Sequence, residues 1–151
     1  MKKGLMAAAA GVIALGGIGV SVAWTGAGPA RAAEVEVWKS PLCGCCGGWV
    51  DYMKANGYVV KVHDTDDMDT VKRGLGVPED AWSCHTAKLG GYVIEGHVPV
   101  EAIDKLLAAK PKVTGIASPG MPQGSPGMSG AKEPNLVVTF SGGRLAPFGT
   151  Y

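Results

Sequence analysis

The chain has 151 residues, with 14 basic and 13 acidic side chains, a net charge of +1 and four cysteines. A charge so evenly balanced, with no basic run and no basic patch interleaved with aromatics, argues against a nucleic-acid partner. The length suits one small domain with one core.

In chain order, the first pattern is one of export. Lys2 and Lys3 precede an apolar, Gly- and Ala-rich stretch over residues 5–23, and Ala30-Arg31-Ala32 forms a small-x-small cleavage site. This is the layout of a secretory signal peptide. Residues 1–32 are expected to be removed, leaving a domain over 33–151 in the periplasm with no stable membrane insertion. An uncleaved anchor is the alternative, because the apolar run is nearly long enough to span a bilayer; its glycines and the Ala-x-Ala site favour cleavage. No twin arginine precedes the apolar core, so the general export route is expected, with any metal acquired after export. Without Lys2, Lys3 and Arg31 the chain keeps 11 basic against 13 acidic side chains, a net charge of −2.

Residues 35–38 alternate as a strand, and residues 47–56 follow as a helix with Trp49, Val50 and Met53 on one face and Gly57 to end it. A second strand, rich in β-branched residues, is predicted over 58–62. Residues 64–69 supply cap candidates and first-turn acids for a short helix that stops at Gly74 or Gly76. The stretch 89–94 reads as one strand interrupted at Gly90-Gly91. Pro99 opens a helix with Val100, Ile103, Leu106 and Leu107 inward. Residues 111–134, rich in Pro, Gly and Ser, read as a long loop, and such loops in small domains are usually functional or disordered. Strands over 136–140 and near 145–148 close the chain as a hairpin around Ser141-Gly142-Gly143. The expected fold class is α/β: a single domain with a thioredoxin-like mixed sheet flanked by helices.

The chemistry lies in sulfur. Cys43-Gly44-Cys45-Cys46 falls between the first strand and the first helix. At a helix N-terminus unpaired N–H groups and a partial positive charge favour thiolate. In an oxidising compartment four cysteines would ordinarily be read as two structural disulfides. The spacing opposes this: adjacent Cys45 and Cys46 are poorly placed to bridge, and a Cys43–Cys46 bridge closes so small a ring that it acts as a redox switch rather than a staple. Neighbouring thiolates can instead bridge two or more Cu(I) ions, whereas a lone tetrahedral zinc normally draws on two spaced cysteine pairs.

Cys84, in Ser83-Cys84-His85-Thr86, is the fourth sulfur and a candidate to complete the site; the alternative is an inert cysteine packed beside Trp82. His85 is a candidate nitrogen ligand or a residue that orients its loop. His63 and His97, at predicted strand ends, read as solvated or structurally bonded. Met121 and Met128 carry thioethers suited to Cu(I) and could form a lid over the thiolates, or plug an apolar surface.

Four blocks together carry a family resemblance. They are Ser40-Pro41-x-Cys43-x-Cys45-Cys46-x-x-Trp49; Ser83-Cys84-His85-Thr86; Gly91-Tyr92-Val93-Ile94-Glu95-Gly96-His97-Val98-Pro99; and Pro119-Gly120-Met121-Pro122-x-Gly124-Ser125-Pro126-Gly127-Met128. In this order they resemble the domain-of-unknown-function family 411, the CopG-like copper-resistance proteins, over essentially the whole of 33–151. The resemblance implies a periplasmic thioredoxin-like domain. It also implies a multinuclear copper cluster on Cys43, Cys45, Cys46 and Cys84, with a role in copper redox interconversion. The resulting expectation is an exported copper-binding protein, possible copper oxidoreductase included, that sequesters Cu(I), cycles it with Cu(II) or hands it to periplasmic copper-handling or redox proteins. The competing expectation is a thiol-disulfide oxidoreductase using Cys43 and Cys46.

Overall fold

The computed structural model describes residues 33–151, so the expected signal segment, 1–32, lies outside the described residues. Strand β1 (Glu34–Lys39) buries Val35 and Val37 completely, as its alternation predicts. It pairs in parallel with β2 (Val59–Asp64), and a parallel pair needs a crossover, which is supplied by helix α1 (Gly44–Ala55). Helix α2 (Met68–Gly74) is capped by the Asp67 side chain, which accepts from the Thr70 N–H. A turn of 3-10 helix (Glu79–Ala81) then leads to β3 (His85–Leu89) and β4 (Tyr92–Glu95). Helix α3 (Val100–Ala109), β5 (Gly115–Ala117), β6 (Leu136–Ser141) and β7 (Arg144–Thr150) complete a single α/β domain.

The strands form one mixed sheet in the order β2-β1-β3-β4-β5-β6-β7, with β1/β2 and β4/β5 parallel and the other pairs antiparallel. Successive residues on a strand face opposite sides, so Ile94 and Ile116 join the larger core with Trp49 and Met53 of α1 and Ile103 and Leu106 of α3. Their neighbours Val93 and Ala117 join a smaller cluster with Val77, Ala81 and Phe140 on the other face. Helix α1 turns Cys46, Trp49, Val50 and Met53 inward at helical spacing. Trp49 is fully buried and its indole N–H donates to the Val98 carbonyl at 3.0 Å, so truncation to Ala would cost roughly 3–5 kcal/mol.

Three expectations are corrected. The helix begins at Gly44 rather than Gly47, because Cys43 itself serves as the cap. The interrupted strand over 89–94 is a hairpin: Gly90 (φ 57°) and Gly91 (φ 86°) form the left-handed two-residue turn that reverses β3 into β4. The stretch 111–134 is not all loop, since β5 lies within it. Gly115 is obligatory there, as a Cβ would run into the Val93 carbonyl and the Phe140 ring. Among the described residues no helix is long and apolar enough to cross a membrane.

Candidate metal centre

Sheet register assembles the cysteines. In the antiparallel β1/β3 pair Lys39 stands opposite His85, so Cys84, one residue before β3, meets the chain as it leaves β1 for the cysteine loop. The sulfurs of Cys43, Cys45, Cys46 and Cys84 all lie within 4.8 Å of one another. Cys43 and Cys46 form a disulfide, while Cys45 and Cys84 are free thiols. Cys43 Sγ also accepts from the Cys46 N–H at 3.3 Å and approaches Cys45 Sγ to 3.5 Å. Cys46 is fully buried, and the other three are partly exposed.

A second donor group shares Cys84: one ligand atom each from Cys84, His85 and His97 lies within 4.8 Å of the others. His97 faces Cys84 Sγ through Nε2 at 2.8 Å and the Pro126 carbonyl through Nδ1 at 2.7 Å. A carbonyl oxygen only accepts, so Nδ1 carries the proton and the Nε2 lone pair points at the sulfur. His85 approaches Cys84 Sγ through Nδ1 at 3.5 Å, and its buried Nε2 has no hydrogen-bond partner among the described residues. It packs against Trp49 and edge-on to His97.

Burial favours the uncharged forms of Cys84, His85 and His97. Burial, reinforced by the nearby Cys45 sulfur, pushes the Cys84 thiol up to about 12. Burial holds His85 well below the usual imidazole range, with His97 and the Lys72 ammonium adding to the effect, and burial also lowers His97. Neutral imidazoles keep a lone pair free for a metal without first losing a proton.

The Pro- and Gly-rich loop lies against α1. Gly127 (φ 83°) fits where a Cβ would strike the Trp49 amide nitrogen and the Cys45 carbonyl, and a Cβ on Gly48 would strike the Gly127 carbonyl. Met121 in this loop is 58% exposed and Met128 half-buried. His63 is half-buried and stacks on Trp38.

Of the two expected roles for His97 at a strand end, solvated or structurally bonded, the structure shows the second: it is fully buried, bonded to the Pro126 carbonyl and set against Cys84, a contact not anticipated from the sequence. The signal was present in Gly90-Gly91. Read as a two-residue hairpin turn, that pair sets Thr86 opposite Glu95 and carries Cys84 opposite His97. Cys84 is half-buried, with its sulfur between His85 and His97.

Comparison with known proteins bears on this site. A family model described as "Protein of unknown function, DUF411" matches residues 81–128, which span Cys84, His97 and most of the covering loop. Two solved structures, titled "Copper resistance protein copG- Form 2" and "Copper resistance protein copG- Form 1", each share 38% identity with this chain at a TM-score of 0.74. Each match covers 80% of this chain and 98% of the other. The chain belongs to the CopG-like DUF411 family. No curated protein matches it. The cysteine loop lies outside the matched residues 81–128, and the β1/β3 pairing brings it to Cys84.

Proposed function

We propose that this DUF411 protein is an exported copper-binding protein of thioredoxin-like fold. It carries more than one Cu(I) on the thiolates of Cys43, Cys45, Cys46 and Cys84 and contributes to copper resistance by sequestration or Cu(I)/Cu(II) cycling. The observation that carries the reading is the convergence of four sulfurs within 4.8 Å from two separate chain segments. The donor set fits the cargo: soft thiolates match Cu(I), which accepts low coordination numbers, and neighbouring thiolates can bridge ions. His85, Met121 and Met128 are candidate further donors from the rim and covering loop, and the imidazoles suit Cu(II) better than thioethers do. The copper-resistance names of the two related structures support the same cargo.

Loading requires the Cys43–Cys46 disulfide to open, which takes two electrons and two protons from a thiol reductant. The reverse supplies a cycling step. Two Cu(II) ions take one electron each from the Cys43/Cys46 dithiol, leaving two Cu(I), the disulfide and two released protons. Partners on this reading are copper ions and periplasmic copper-handling or redox proteins. The test is anaerobic titration of the reduced chain against a competing Cu(I) chelator, with an endpoint above one copper per chain expected; an endpoint at one copper, or tighter binding of zinc, overturns it. Export is tested separately by intact mass of the secreted protein, expected to begin at Ala33.

The disulfide favours a second reading, a thiol-disulfide oxidoreductase, because it joins the N-cap cysteine of a helix to a cysteine of its first turn.

A further inference from the structure

We propose that the buried Lys72–Glu95 pair is the positioning device of the sulfur centre: Glu95 grips the chain on both sides of Cys84-His85 and so sets the thiol that comes from outside the cysteine loop. Lys72 on α2 and Glu95 on β4 are 3% and 0% exposed. Glu95 Oε1 accepts from Lys72 Nζ at 2.6 Å and from the Ser83 N–H at 2.7 Å. Its Oε2 accepts from the Thr86 hydroxyl at 2.7 Å, and that hydroxyl accepts in turn from Lys72 Nζ at 3.1 Å. One carboxylate therefore holds residue 83 and residue 86, and the dipeptide carrying the thiol is fixed between them. The Ser83 hydroxyl donates to the Gly120 carbonyl at 2.6 Å, tying the same point to the covering loop.

Stability alone is a poor reason for this arrangement. Two charges removed from water lose about as much solvation as their attraction returns, and an apolar pair of similar volume is often equally stable or more so. An apolar pair cannot accept the Ser83 N–H. Burial raises the Glu95 carboxyl, and the Lys72 ammonium, the Thr86 hydroxyl and the Ser83 amide all act against that rise. Hydrogen-bond partners lying behind metal ligands commonly govern affinity by roughly 10–100-fold without touching the ion.

The test compares two double variants of the reduced, secreted chain. Lys72→Met/Glu95→Leu removes both charges and the acceptor; Lys72→Met/Glu95→Gln removes the charges but keeps an amide oxygen for the Ser83 N–H. Cu(I) affinity is read by chelator competition. In parallel, the alkylation rate of Cys84 in the metal-free protein is read by peptide mass mapping. The Leu pair should keep the parent's far-UV circular dichroism yet bind Cu(I) roughly 10–100-fold more weakly and expose Cys84 to faster alkylation, whereas the Gln pair should return both toward the parent. A Leu pair that alkylates like the parent, or a Gln pair as impaired as the Leu pair, overturns the proposal. If the Leu pair does not fold, Glu95→Asp, which keeps the charge but withdraws the carboxylate by one methylene, takes its place: faster Cys84 alkylation than in the parent supports the proposal, and a parental rate overturns it. The metal readout rests on the copper reading; a parent that binds no Cu(I) refutes that reading and leaves the alkylation comparison to decide this one.

Discussion

Cys84 joins two kinds of donor, with three sulfurs on one side and two imidazoles on the other. Its loss should therefore be felt in metal binding rather than in folding. Cys84→Ser is expected to keep the far-UV circular dichroism of the parent while lowering Cu(I) stoichiometry and affinity, both read by chelator competition; unchanged stoichiometry and affinity would leave Cys84 a packing residue. The histidines give a second outcome with a definite sign. His85 and His97 sit below their ordinary value of 6.5, so as pH falls through that value the unfolded chain takes up protons that the folded chain refuses. The metal-free protein is then expected to lose stability below pH 6.5, by at most about 1.4 kcal/mol per pH unit for each histidine. Urea unfolding at about pH 7.5 and about pH 5.5 measures this, and His97→Gln should reduce the difference without abolishing it, because His85 still contributes. A parent and variant with the same pH dependence would mean that His97 titrates alike in both states.

At the scale of elements, residues that obey a simple period were legible and residues governed by tertiary register were not. The alternation of Val35 and Val37, the helical spacing of Trp49, Val50 and Met53, and the inward face of α3 specify their elements locally. Strand β5 is three residues long, too short to show a period, and exists because β4 and β6 offer it two ladders at once. The Cys84–His97 contact was hidden for a related reason, since a glycine pair inside an apolar run fits both an interruption and a reversal until the partner strand is known. The contact between the covering loop and α1 is also tertiary, and it gives a direct test. Gly127→Ala adds a Cβ at φ 83° against the Trp49 amide and the Cys45 carbonyl. That substitution should destabilise the protein by about 1–3 kcal/mol and speed protease cleavage within residues 118–135. A stable, protease-resistant variant would show that the loop is not seated on the helix.

The whole molecule offers one surface on which copper chemistry and dithiol exchange compete for the same atoms, and connectivity separates them. Exchange needs one attacking and one resolving thiol, which Cys43 and Cys46 already provide as a disulfide. A bridged cluster needs more: Cys45 lies 3.5 Å from Cys43 Sγ and contributes one of the four converging sulfurs, so its removal breaks the set while sparing the pair. Cys45→Ser should accordingly collapse Cu(I) binding in the reduced protein, and the parent should reduce the insulin disulfides only feebly. Both proteins can be followed side by side, by Cu(I) titration and by turbidity of the released insulin chain, after the same reductant has been removed under argon. Strong insulin reduction that persists in Cys45→Ser, together with negligible copper uptake by the parent, would transfer the molecule to the oxidoreductases. The opposite pattern places the Cys43/Cys46 pair within copper handling, where its dithiol form gives two electrons to two Cu(II) ions and is left as the disulfide.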